Sequence, residues 1–161
     1  IRFHENDVRP MGRTARGVRG IRLRPGDQVV GMDIVEEDSN IFVISEKGYG
    51  KRTKISQFSP HKRGGVGIRS AVVNAKTGNL VSVKSLNEET PEIIIISTAG
   101  QTIRLGLKDI PSLGRTTQGV RIMRLGEDDT VASVALVAKE AEIEEEADDV
   151  QQPLLVEDKN A

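Results

Sequence analysis

The run Ile41-Phe-Val-Ile-Ser-Glu-Lys-Gly-Tyr-Gly-Lys-Arg-Thr53 decides the fold, because it recurs 52 residues later as Ile93-Ile-Ile-Ile-Ser-Thr-Ala-Gly-Gln-Thr-Ile-Arg-Leu105. In both copies an apolar run meets a glycine, Gly48 or Gly100, and returns through an x-Arg-x end at Arg52 or Arg104. That is the pattern of a β-hairpin turning at glycine. The opening Ile1-Arg2-Phe3 matches the same end, so the chain is expected to begin just after such a turn.

Two further elements recur with the hairpin. Gly12-Arg-Thr-Ala-Arg-Gly-Val-Arg19 reappears as Gly114-Arg-Thr-Thr-Gln-Gly-Val-Arg121, and His61-Lys-Arg-Gly-Gly-Val-Gly67 occupies the middle slot. Aligned on the valine that follows each, Gly17, Gly65 and Gly119 coincide. Gly26-Asp-Gln-Val-Val, Gly78-Asn-Leu-Val and Asp129-Thr-Val-Ala-Ser-Val134 each place a turn before a short strand. Each period therefore supplies several short strands and a basic, glycine-rich loop. Pro10, Gly12, Gly17 and Gly20 interrupt the arginine-rich opening too often for it to form a basic helical face. A fixed period of this kind overrides element-by-element reading and predicts an all-β repeat architecture of propeller type. Propellers close with about four to eight blades. Three partial periods thus read as about three blades of a larger wheel, over residues 1–138, followed by a tail over 139–161.

Composition removes most other classes. There is no cysteine among the 161 residues, which excludes disulfide frameworks, thiolate zinc sites and cysteine nucleophiles. His4 and His61 are the two histidines and read as ordinary loop residues, so no metal and no cofactor is expected. The longest apolar run, Ile93 to Ile96, is too short for a membrane span, and no signal-peptide pattern opens the chain. The net charge of −1 conceals an asymmetry. Residues 139–161 hold nine carboxylates against Lys139 and Lys159, whereas the preceding 138 residues hold 21 Lys and Arg against 15 Asp and Glu. A basic body predicts a polyanionic partner, and an acidic tail predicts a tethered competitor for it. The tail is expected to be disordered, since Glu140 to Asp149 alone carries seven carboxylates.

The recurrent loops are the candidate site. Glycines let a backbone approach a phosphate and present N–H groups to it, while neighbouring cations supply charge. The expected DNA contacts are Arg13, Arg16, Arg19, Lys62, Arg63, Arg69, Arg115 and Arg121, with Gly17, Gly64, Gly65, Gly67 and Gly119 as the loop glycines. The plainer reading makes the glycines turn residues and the arginines solvated; recurrence in three slots favours phosphate contact. Lys76 and Lys84 lie outside these loops. Phe3, Phe42, Tyr49 and Phe58 are too few and too strand-bound for the base-stacking platform of single-strand and RNA modules, and no recognition helix is available for base readout. Tyr49, in Gly-Tyr-Gly at a hairpin turn, reads as a turn residue and not a nucleophile. The carboxylates at 127–129 read as solvated turn residues and not a metal cluster.

Ile1 to Gly20, Gly48-Tyr-Gly-Lys-Arg-Thr53 and Gly114 to Arg121 resemble the C-terminal domain of the bacterial DNA gyrase A protein, over about residues 1–138. The resemblance implies a six-bladed β-pinwheel, in which neighbouring blades exchange strands and duplex DNA wraps on a basic rim, and it implies that this chain covers the last three blades. His61-Lys-Arg-Gly-Gly-Val-Gly67 is similar to a degenerate form of the family's gyrase box, Gln-Arg-Arg-Gly-Gly-Arg-Gly, with His61, Lys62 and Val66 as departures. It further implies a chain without a catalytic site of its own, belonging to an ATP-dependent type IIA topoisomerase that introduces negative supercoils. The cleavage tyrosine and the ATP site would lie elsewhere. Its implied partners are duplex DNA, the N-terminal cleavage region of the same polypeptide, and the gyrase B protein in an A2B2 assembly, in the cytoplasm at the nucleoid. The alternatives are a propeller-like protein-interaction scaffold and the C-terminal domain of the A-type protein of topoisomerase IV.

Overall fold

The computed structural model describes residues 1–87 and 92–137. Its regular structure is all β, with three single turns of 3-10 helix at Glu5–Asp7, Ile55–Gln57 and Leu107–Asp109. The strands are β1 (Asn40–Ser45), β2 (Tyr49–Lys54), β3 (Leu80–Leu86), β4 (Glu92–Ser97), β5 (Thr102–Gly106), β6 (Val120–Arg121) and β7 (Val131–Val137). They form two antiparallel sheets, ordered β3-β1-β2-β6 and β5-β4-β7.

The second sheet repeats the first. Both expected hairpins are present, and each turns at a glycine in the left-handed region, Gly48 at φ 77° and Gly100 at φ 86°. A side chain at Gly48 would also run into the Met123 backbone, so both conformation and space require glycine there. The repeat extends to an irregularity: pairing of β1 with β3 shifts between Ile44 and Ser45, and pairing of β4 with β7 shifts between Ile96 and Ser97, 52 residues on. β1 and β4 are the central strands of their sheets. β1 is buried on both faces, which is why Ile41-Phe-Val-Ile44 reads as a continuous apolar run and not as an alternation. One face joins Phe42 and Ile44 to Leu86, Ile93, Ile95, Ile110, Met123 and Val131 in the core between the sheets. The other packs Ile41 and Val43 on Ile55 and Ala71.

β6 carries the exchange between repeats. It follows β5 in the chain, yet it pairs with β2 of the preceding repeat, Tyr49 opposite Arg121 and Gly50 opposite Val120. The chain leading to it runs beside the same strand, with Arg52 N–H donating to Pro111 O (3.0 Å) and Leu113 N–H to Arg52 O (2.9 Å). Arg52 Nε also donates to Ile110 O (2.8 Å). Arg2 repeats these contacts one period earlier: its Nη1 reaches Phe58 O (3.2 Å), and its carbonyl accepts from His61 N–H (2.7 Å). The opening residues thus stand where the end of a hairpin stands in the next repeat.

One expected strand is missing. Residues 29–35 correspond to β3 and β7, but no strand forms among residues 1–39. β3 and β7 are held by β1 and β4 of their own repeats, and no described hairpin is available to residues 29–35. Met32 and Ile34 are consequently 91% and 89% exposed. The tail over 139–161 and its boundary at 138 lie outside the described residues.

Candidate nucleic-acid interface

The three basic loops sit in equivalent places, in a register that differs from the sequence alignment by two residues. Gly17, Gly67 and Gly119 are the counterparts, at φ 79°, 73° and 83°, whereas Gly65 is not in the left-handed region. A Cβ on Gly119 would meet Gly50 O at 2.5 Å, and one on Gly67 would meet the Ile1 backbone at 3.1 Å, so each glycine crosses the preceding hairpin closely. Valine follows Gly65 by coincidence; the recurrent triplet is Gly17-Val-Arg19, Gly67-Ile-Arg69 and Gly119-Val-Arg121. Gly64, at φ 79°, is an additional turn glycine of the middle loop.

In this register Arg13, Arg63 and Arg115 are equivalent, and the last two do the same work. Arg63 Nη1 donates to Arg19 O (3.1 Å) and Arg115 Nη1 to Arg69 O (2.8 Å). Each guanidinium therefore holds the carbonyl of the arginine in the loop before it. Gly64 N–H to Gly20 O (2.6 Å), Arg22 N–H to Gly65 O (2.8 Å) and Val72 N–H to Thr117 O (3.1 Å) complete the stitching. The three loops are hydrogen-bonded into one contiguous row. Arg13, Arg16, Arg19, Lys62 and Arg69 are exposed and place no side-chain hydrogen bond or ion pair on another described residue. Arg63 and Arg115 are half-buried and spend donors inside the protein, and Arg121 Nη2 donates to the Tyr49 hydroxyl (3.1 Å).

Lys51 is a functional residue that sequence reasoning missed. It is fully buried on β2, and its Nζ donates to Gly114 O (2.6 Å), Arg115 O (2.8 Å), Thr117 O (2.9 Å) and Thr117 Oγ1 (3.2 Å). A cation without a carboxylate partner thus fastens the third loop to the preceding hairpin. Burial, and secondarily the Arg115 charge, push its pKa down from 10.5 to about 8. The available signal was the repeat itself, since the sister hairpin has Ile103 at this position.

Of the aromatic residues, Phe42 and Tyr49 are buried and Phe3 and Phe58 half-buried. Asp129 Oδ1 accepts from Thr98 Oγ1 (2.8 Å) and Ala99 N–H (2.9 Å), which makes it the brace of a turn. No described helix is long and apolar enough to cross a membrane.

Repeated antiparallel blades, a strand ceded to the preceding repeat and a loop row rich in arginine define a propeller-type repeat domain. The chain belongs to the family of DNA gyrase A C-terminal domains. The family model, described as DNA gyrase C-terminal domain, beta-propeller, matches residues 1–36, 39–87 and 91–138, one segment for each repeat. The DNA gyrase A protein of Staphylococcus aureus strain NCTC 8325 / PS 47 is 44% identical over 151 residues, covering 92% of this chain and 17% of that protein. That of strain MRSA252 is 45% identical over 148 residues, 91% of this chain and again 17% of the relative. A solved DNA gyrase A C-terminal domain superposes with a TM-score of 0.76 at 31% identity, over 83% of this chain and 45% of that one. The C-terminal domain of a DNA topoisomerase IV shares the fold, with a TM-score of 0.77 at 24% identity over 84% of this chain and 42% of that one.

Proposed function

We propose that this domain binds duplex DNA without sequence preference and wraps it along the loop row, as the C-terminal part of a gyrase A protein. The carrying observation is the row itself: three hydrogen-bonded loops, of which the first presents Arg13, Arg16 and Arg19 and the second Lys62 and Arg69 to solvent with no partner among the described residues. A planar guanidinium meets a phosphate through two donors, and several cations held in one row can follow a backbone that a flexible cluster cannot. Smooth bending of a duplex through 40–90° costs about 1–6 kcal/mol. One loop cannot offset that cost, whereas contacts from successive loops add. Wrapping here would present a neighbouring duplex segment to the cleavage region of the same polypeptide, with strand passage driven by ATP at the gyrase B protein of an A2B2 assembly in the cytoplasm. Cleavage and ATP hydrolysis belong to those other parts.

The test is a titration of the 161-residue chain against short duplexes over a range of salt. Each neutralised phosphate contributes about −0.9 to the slope of log affinity against log salt, so a steep slope shared by unrelated sequences is expected. A slope near zero, or a clear preference for one sequence over its scrambled version, overturns the reading. The first outcome would favour the protein-interaction scaffold.

A further inference from the structure

We propose that Tyr49, Lys76 and Arg121 form one further phosphate-binding site, which the duplex backbone occupies at the edge of the loop row. The inference rests on the DNA-binding reading above and extends it from Arg121 of the third loop to Tyr49 and Lys76, which lie outside the recurrent loops.

The site is built from three segments. Tyr49 opens β2, Arg121 lies directly opposite it on β6, and Lys76 belongs to the turn before β3. That turn is fixed: Asn74 Oδ1 accepts from Lys76 N–H (2.9 Å) and Thr77 N–H (3.1 Å), Thr77 is buried, and Thr77 O accepts from Lys47 N–H (3.0 Å) at the hairpin turn. Lys76 Nζ and the Arg121 guanidinium carbon each lie 5.5 Å from the centre of the Tyr49 ring. Cations over an aromatic face are held there by the ring quadrupole.

What the cluster lacks points to its ligand. Arg121 and Lys76 can only donate, and Tyr49, which accepts from Arg121, still has its own O–H to give. No described carboxylate pairs with either cation: the ion pair among the described residues is Arg104 with Glu92, and the nearby Glu46 hydrogen-bonds Asn79. Two cations and a hydroxyl therefore meet at one ring with neither cation paired to a described carboxylate, an arrangement that suits an anion. The bond from Arg121, with the charges of Arg121 and Lys76, holds the Tyr49 hydroxyl below its usual pKa of 10, which makes it the stronger donor. The next repeat shows the contrast. Its corresponding turn carries Glu127, Asp128 and Asp129, and Gln101 stands where Tyr49 stands. The cluster belongs to the repeat whose β2 receives β6.

Tyr49 is the sole tyrosine, so a chain labelled at tyrosine 13Cζ gives one resonance that reports directly on the cluster. With a short duplex as probe, that resonance is expected to shift and its titration midpoint to rise, because bound phosphate draws the two cations away from the phenol. Inorganic phosphate at equal phosphate concentration should leave it unmoved. Lys76→Ala, at an exposed position whose loss does not threaten folding, should lower the salt slope by about 1, and Tyr49→Phe should weaken binding about threefold while keeping the ring. Lys84→Ala, on β3, serves as the control and should do neither. If Lys76→Ala binds as wild type does while the wild-type slope stays steep, this site is wrong and the loop row stands. A shift with inorganic phosphate alone would overturn the duplex as occupant, and a flat wild-type slope would remove both readings together.

Discussion

Replacing Lys51 by methionine separates the work of holding a loop from the proposed work of binding DNA. Methionine keeps the unbranched stem and removes the ammonium, leaving the carbonyls of Gly114, Arg115 and Thr117 without that donor. Hydrogen bonds to a charged group contribute about 1.5–3 kcal/mol each. Against three of them stands the cost of burying an unpaired ammonium, several kcal/mol, and water can replace part of what an edge loop loses. The net expectation is a loss of roughly 2 kcal/mol, which lowers Tm by about 4–8 °C for a domain of this size. The loss should be local. Amide exchange should accelerate at Val72 and Leu113, whose N–H groups bond to Thr117 O and Arg52 O, and should change little within β1. The pH dependence has a definite sign. Because Lys51 titrates at about 8 when folded against an ordinary 10.5, the unfolded chain binds more protons between those values. Its contribution to stability is therefore least below pH 8 and rises through that window. Lys51→Met should lose the rise, so wild type should gain on the variant between about pH 8 and 10. A variant that melts within about one degree of wild type, with unchanged exchange at Val72 and Leu113, would refute the clamp.

Three other outcomes follow from the loop row. Lys62→Ala should reduce the salt slope by about 1 at unchanged stability, whereas Arg63→Ala should also lower Tm, since Arg63 holds Asp7 O (2.9 Å) and Arg19 O (3.1 Å); thermal melts alongside duplex titration check the split. Gly67→Ala should cost about 1–2 kcal/mol through its positive φ, and more through the Ile1 contact, while Gly65→Ala should cost little; denaturant melts that ranked them in the opposite order would restore the register read from sequence. Removing 139–161, with its nine carboxylates, should raise duplex affinity at low salt, an advantage that disappears as salt screens both interactions.

How far the sequence could be read depended on what each residue's neighbours had to be. The hairpins at Gly48 and Gly100 were legible because an apolar run, a glycine and an x-Arg-x end are consecutive in the chain and occur twice. Their contacts are local, and locality survives without coordinates. The loop register was misread because Gly-Val is a short pattern, and the middle loop holds Gly64, Gly65 and Gly67 within four positions. Its positive φ and its crossing over Ile1, a contact between residues far apart in sequence, identify Gly67 and not Gly65 as the counterpart of Gly17 and Gly119. A short strand after the Gly26 turn was expected from its own pattern, but a strand is a property of two segments, and the described chain supplies one.

The same distinction sorts the cations. By sequence, Arg13, Arg63 and Arg115 are interchangeable members of basic loops, and Lys51 is one more charge in Gly-Tyr-Gly-Lys-Arg-Thr. By contact they separate. Arg13 faces solvent, Arg63 and Arg115 tie each loop to the one before, and Lys51 is withdrawn altogether to fasten the loop that carries Arg115. Counting positive charge would assign all four equally to a polyanion. A bending duplex demands more than charge, because cations on mobile loops would lose in conformational entropy what they gain from phosphate. Spending some arginines and one buried lysine on the loops themselves leaves Arg13, Arg16, Arg19, Lys62 and Arg69 displayed from a fixed row. If that division holds, substituting the internal cations should change stability first and the salt slope second, and substituting the displayed ones should do the reverse.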